Sequence, residues 1–192
     1  VWDNEKSIFE QGIYRDYSMS GRTTKCILEG LQVRNTYAAG TVVTMGANNG
    51  LTILKDCILR GNNGLYSDAG SALLLNCVVY ADSLVAGSEG IYLQTGTTRI
   101  DLYNCVVYNF EDGIERDSGL GSAVNCVVFG CTDDFDNSGN ILVIDHCASD
   151  DGDGTNSVSL NENASGEWDA AFTDYANGDF SLKSGSDLID AG

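Results

Sequence analysis

The chain has 192 residues, 43% of them apolar, which suits one domain with a real core rather than a disordered segment. Its 28 acidic residues against 10 basic ones give a net charge of −18, a field that repels nucleic acid, anionic lipid and polyanionic polysaccharides such as pectin. No run is long enough for a membrane helix, and 23 glycines without a single proline leave the turns to Gly, Asn and Asp.

The opening stretch, VWDNEK, lacks an initiator Met and reads as the start of a processed or excised segment of a larger protein. Beyond it two short phrases alternate down the chain. The first is a glycine marker: GIY at Gly12, GTV at Gly40, GLY at Gly64, GIY at Gly90 and GIE at Gly113, with DFD at Asp134 in the sixth slot. The second centres on cysteine: KCIL at Cys26, DCIL at Cys57, NCVV at Cys77, Cys105 and Cys126, and HCAS at Cys147. Successive cysteines lie 31, 20, 28, 21 and 21 residues apart, whereas 12 to 16 residues separate the middle of each marker from its cysteine. Most of the length variation therefore falls between a cysteine and the next marker, at one edge of the object.

Between the phrases lie runs of Val, Ile, Leu, Thr and Tyr broken by Gly, Asn, Asp and Ser, which predict short strands and turns. Apolar spacing never settles at 3.6, so no helix is expected. A unit of about 21 residues cannot bury its own face, and stacking like units solves that problem. The prediction is an all-β, single-stranded parallel β-helix, a solenoid of about six or more rungs and roughly 30 Å long at the usual strand spacing. Residues 12–149 would form the cysteine-marked rungs and 150–192 closing strands and loops, all in one domain over 1–192.

Stacking places Cys26, Cys57, Cys77, Cys105, Cys126 and Cys147 in one buried column of free thiols, because parallel side-chain vectors do not converge as a disulfide requires. Asn76, Asn104 and Asn125 would form an amide ladder beside it, with His146 continuing the turn column. Cys131, outside the repeat, pairs with Cys126 or stays free. No cysteine or histidine spacing suits zinc.

The NCVVY rungs resemble right-handed β-helices of the pectate-lyase-like class. The tail EWDAAFTDYANGDFSLKSGSDLIDAG, Glu167 to Gly192, resembles the gDf-L---S-aIDaG closing segment of bacterial and phage β-helix proteins. Gly178, Asp179, Phe180, Leu182, Ser186, Ile189, Asp190, Ala191 and Gly192 match, while Asp187 and Ala170 stand where that group usually has proline. The resemblance implies an extracellular, cell-surface or virion component.

Three groups of residues are candidates for function. If each cysteine and the residue two after it point inward, Val78, Tyr80, Val106, Tyr108, Val127 and Phe129 form an outward stripe. Such a patch suits packing into a homo-oligomer, a trimer by expectation, or contact with neighbouring structural proteins or a polysaccharide. Glu111, Asp112, Asp133 and Asp134 form an acidic edge, where crowded carboxylates raise one another's pKa or serve acid/base hydrolysis. From Asp151, oxygen side chains at Asp151, Asp153, Thr155, Ser157, Ser159 and Glu162 follow calcium-loop spacing, although Asn156 takes the glycine's place; Asp151, Asp153 and Glu162 would carry the Ca2+. Lyase chemistry would also need a base, and Arg60, Arg99, Arg116 and Lys55 show no motif placing one beside the acids. The leading expectation is a non-enzymatic structural or attachment module, a rigid spacer or adhesin without nucleic-acid or membrane partners. The alternative is a polysaccharide lyase or glycoside hydrolase of the pectate-lyase-like class.

Overall fold

The runs LTILK, SALLL and RIDLY alternate buried residues, apolar except for Thr52, with half-buried or exposed ones, and each becomes a five-residue strand. The computed structural model describes residues 8–9, 13–15, 25–37, 40–45, 50–68, 70–94, 99–136, 142–150, 152–160 and 166–189. Within them the chain winds as a parallel β-solenoid with three sheets as its sides. Sheet I holds Lys25–Glu29, Leu51–Lys55, Ser71–Leu75, Arg99–Tyr103, Leu120–Val124 and Leu142–Asp145. Sheet II includes Gln32–Arg34, Ile58–Arg60, Val78–Tyr80, Val106–Tyr108 and Val127–Phe129. Sheet III includes Thr41–Met45, Asn63–Ser67, Glu89–Leu93, Asp112–Arg116 and Asp133–Asp136. The chain visits I, II and III in that order, making about five turns with partial turns at both ends. Leu54, Leu74, Val79, Ile91, Ile100, Leu102, Val107 and Ile114 fill the interior.

The corner between sheets I and II explains the asparagine–cysteine phrase. Asp56, Asn76, Asn104, Asn125 and His146 all have φ between 52° and 55°, a left-handed conformation that Asn and Asp tolerate best after glycine. Their side chains form the expected ladder: Asn76 Nδ2 donates to Asp56 Oδ1 at 3.1 Å, Asn104 to Asn76 at 3.1 Å and Asn125 to Asn104 at 2.6 Å. The next residue turns inward. Cys57, Cys77, Cys105, Cys126 and Cys147 are buried one above another, each Sγ donating to the carbonyl two residues earlier at 3.3–3.4 Å. Backbone bonds of 2.9 Å from Val78, Val106, Val127 and Ala148 to the cysteine one turn before fix the register. All seven cysteines are free thiols, including buried Cys131. Hydrogen bonds to Cys126 and Cys77, together with burial, hold the Cys105 thiol well above its ordinary range, and burial does the same for Cys131.

Cys26 does not belong to that column. It lies within the first strand of sheet I, paired with Thr52. Gly30, at φ +68°, takes the left-handed corner of this turn, and Leu31 takes the cysteine's place, with Ile58 N donating to its carbonyl at 2.8 Å.

Gly40, Gly64, Gly90 and Gly113 mark the starts of four strands of sheet III, at a second corner. A Cβ on Gly64 would lie 2.2 Å from Gly90 O, and one on Gly113 would lie 2.6 Å from Asp134 O. Asp134 fills the marker slot of the last turn, as its place in the repeat predicts, and is buried there.

After the coil the chain forms a short helix, Glu167–Ala171, and an antiparallel pair, Phe172–Asp174 with Asp179–Leu182. A five-residue helix is less than two turns long, too short for apolar periodicity to reveal, so the expectation of no helix is corrected here. No helix among the described residues is long and apolar enough to cross a membrane.

Candidate functional site

The outward stripe forms in register: Val78, Val106 and Val127 stack, and Tyr80, Tyr108 and Phe129 stack beside them. It is not open, because the chain's own tail lies on it. Phe129 stacks on Trp168 at 4.3 Å and Phe172 at 5.2 Å. Tyr108 meets Tyr175 at 5.2 Å, and Tyr80 meets Phe180 at 5.4 Å. Tyr80 and Phe129 are 5% and 1% exposed. Gly178, at φ +82°, lets the tail turn against Tyr80, whose hydroxyl would stand 2.9 Å from any Cβ there. Trp168 Nε1 donates to Asp150 Oδ1 at 2.9 Å and ties the tail to the last turn.

The acidic edge divides. Asp112 and Asp133 pair across neighbouring strands on the outer side of sheet III, with Glu89 next above Asp112. Asp134 instead turns into the coil, where its Oδ2 accepts from Asp150 N at 2.8 Å. Glu111 lies in the preceding turn and accepts from Gly87 N. Beside Glu89, Asp112 and Asp133 runs a second column that the acidic edge did not include: Tyr66, Tyr92, Glu115 and Asp136. These are the third residues of the GLY, GIY, GIE and DFD markers, so the signal was present in the repeat itself. The Tyr66 and Tyr92 rings are 5.6 Å apart, Tyr92 donates to Asp117 at 2.6 Å, and Tyr66 donates to Gln94.

Charge crowding on this face is strong. Burial, then the charges of Glu89, Asp112 and Asp117 and a hydrogen bond to Glu89, push the Glu115 carboxyl up to about 7. Burial first, then Glu111, Asp133 and Asp136, raise Asp112, and burial raises Glu89. A carboxyl held high keeps its proton in the folded chain after the unfolded chain has lost it. The stabilisation from Glu115 is therefore complete below about pH 4.5 and is lost as pH rises through about 7. Asp145 and Asp179 are held low by hydrogen bonds and act in the opposite sense, but only below the ordinary carboxylate range. Thermal melts should give a higher midpoint at about pH 5.5 than at about pH 8, and Glu115→Gln should flatten the difference. A midpoint that rises over that interval would contradict the crowding.

Among the described side chains the basic residues stand apart from this face. Lys55 pairs with Glu29 at 2.6 Å, Arg99 with Asp101 at 2.8 Å, and Arg60 with Asp82 at 2.7 Å. Arg116 follows Glu115 but points inward, 2% exposed, its Nε donating to Ser118 O at 2.9 Å. In the calcium-like loop, Asp151 and Glu162 lie outside the described residues. Asp153 accepts from Ser149 Oγ at 3.0 Å, while Thr155 and Asn156 donate to Asp145 Oδ1 at 3.0 and 2.9 Å. These contacts close the end of the coil. Among the described residues no three His, Cys, Asp or Glu side chains gather as a metal site. Comparison of the chain with protein-family models, curated proteins and solved structures returned no match, so the reading of its surface rests on geometry.

Proposed function

We propose that the protein is a non-enzymatic attachment module of a cell surface or virion, a rigid β-solenoid spacer that contacts carbohydrate through sheet III. The observation that carries this reading is the outer face of that sheet. Tyr66 and Tyr92 stack in one column, and Glu89, Asp112, Glu115 and Asp133 flank them in strand register. Tyrosine rings offer apolar contact to sugar faces, and carboxylates accept hydrogen bonds from hydroxyls. Columns repeating at the strand spacing of about 4.8 Å suit an extended polymer better than a compact ligand. A face of carboxylates disfavours uronates and favours neutral or amino-bearing sugars.

One observation favours a second reading, a glycoside hydrolase of the pectate-lyase-like class. Glu115 keeps its proton up to about 7 on a face of carboxylates, the protonation state a general acid needs. Titration calorimetry against neutral, amino-bearing and uronic polysaccharides separates the readings. The attachment reading expects binding of the first two classes, no release of reducing ends, and an affinity loss of about tenfold or more in Tyr92→Ala. It fails if no class binds or if uronates are preferred. Turnover abolished by Glu115→Gln would put the hydrolase first.

A further inference from the structure

We infer that a pocket between the tail and sheet II binds a quaternary ammonium group of the trimethylammonium kind carried by choline. The inference is independent of the carbohydrate reading, which concerns sheet III.

The tail covers the aromatic stripe but does not fill all the space against it. A cavity of about 150 Å³ remains, walled by Tyr108, Phe129, Trp168 and Tyr175, with Gly166 and Asp169 also lining it. The local sequence keeps it open. Asn109 and Gly130 are left-handed corner residues, at φ 69° and 64°, and turn the chain away from the tail there. Gly166, at φ +108°, brings no side chain, and a Cβ on it would meet nothing within 4 Å. Gly166 and Asp169 are exposed and form the mouth, whereas Phe129 and Trp168 are buried and form the base. The walls do not all lie in one stack. Trp168 lies on Phe129 with 24° between the ring planes, but Tyr175 meets Phe129 at 80° and Tyr108 at 74°. Rings set at right angles bound a corner, and ring faces attract cations through their quadrupole.

Size, charge and hydration together select the occupant. An apolar cavity of about 150 Å³ admits a group the size of benzene, which a trimethylammonium group matches and an extended glycan does not. The Asp169 carboxylate at the mouth and the net charge of −18 favour a cation over an anion or a neutral group. Lys183 is near, but its Nζ donates to the main-chain oxygen of Asp169 at 2.5 Å and makes no ion pair with the carboxylate. A primary ammonium brings three N–H groups that need acceptors. The pocket is poor in them: Trp168 Nε1 is a donor already given to Asp150, and Asn109 Nδ2 is a donor given to Ala81 O at 3.0 Å. A quaternary ammonium has no N–H to satisfy, so ring faces suffice.

Titration with choline chloride to about 50 mM, followed at the Trp168 indole N–H by nuclear magnetic resonance, tests the site. Trp2→Phe identifies which of the two indole signals belongs to Trp168. The expected result is a saturable shift with Kd of about 1 mM. The neutral isostere of choline, with a tert-butyl group in place of the trimethylammonium, should bind at least about tenfold more weakly, and so should ethanolamine. Asp169→Asn, at an exposed position, should raise Kd about threefold or more. Tyr175→Leu keeps an apolar wall without a ring face and should raise Kd about fivefold or more, with circular dichroism unchanged. Tyr92→Ala on sheet III should leave the titration unaltered, so failure of this site and failure of the carbohydrate face are told apart. Phosphatidylcholine vesicles separate the sources of the group. Co-sedimentation that free choline reverses places it on a lipid, and choline binding without co-sedimentation places it on a soluble molecule; both keep the site. No shift at about 50 mM would overturn the inference. So would equal binding of the neutral isostere, or a Kd that neither Asp169→Asn nor Tyr175→Leu changes.

Discussion

Phe129→Ala should destabilise the protein by about 3–5 kcal/mol and release the tail. Phe129 ends an aromatic column that starts at Tyr80, and it is the side chain on which the tail is built. Trp168 and Phe172 stack on it, and Tyr108, Tyr175 and Phe180 meet it within 6.4 Å. It is 1% exposed, so truncation removes a whole buried ring and leaves a cavity between two layers. The tail cannot collapse to fill that cavity, because Trp168 is held by Asp150 and the ring of Phe180 already meets Tyr80. Urea unfolding would give the free-energy change. A red shift of Trp168 emission before the main transition would show the tail leaving first. A loss below about 1 kcal/mol would mean that the tail is only loosely placed on sheet II.

Gly90→Ala should cost about 3 kcal/mol or more, which is large for one methyl group. Its Cβ would lie 2.4 Å from Gly113 O, 2.6 Å from Val107 Cγ1 and 2.9 Å from Phe110 Cδ2. The first of these is backbone, so it moves only if the Glu89–Leu93 strand slips against Asp112–Arg116. The slip would propagate, because every turn shares one register. Gly87→Ala is the control. Gly87 has φ +72° but nothing within 4 Å of a Cβ, so only the left-handed backbone term of about 1–2 kcal/mol applies. Thermal or urea unfolding of both variants compares the two. Equal losses would place the cost in backbone conformation and remove the stacking argument.

The coil was legible because its constraints are local and repeated. Asn76, Asn104 and Asn125 recur because the corner needs a left-handed residue, and the cysteine follows because the next side chain points into a narrow interior. The same logic misplaced Cys26. KCIL looks like DCIL, but the corner of that turn is made by Gly30 and Leu31, which satisfy the same geometry with other residues. The outward parity of Val78, Tyr80, Val106, Tyr108, Val127 and Phe129 followed from alternation once the cysteines were set inward. What covers them could not, because Trp168, Phe172, Tyr175 and Phe180 follow no repeat and meet the stripe only through the fold. The acidic face was half legible. Asp112 and Asp133 stand where spacing from the cysteines put them, but Asp134 occupies a marker glycine's buried slot. Glu115 was hidden as the last letter of a marker read only for its glycine.

The central claim is the in-register stack, and nuclear Overhauser contacts among selectively labelled cysteine side chains test it most directly. The account predicts an unbroken chain of cross-peaks from Cys57 through Cys77, Cys105 and Cys126 to Cys147, with Cys26 outside it. Missing contacts between Cys77 and Cys105 or between Cys105 and Cys126, or a direct contact between Cys26 and Cys57 in their place, would contradict it.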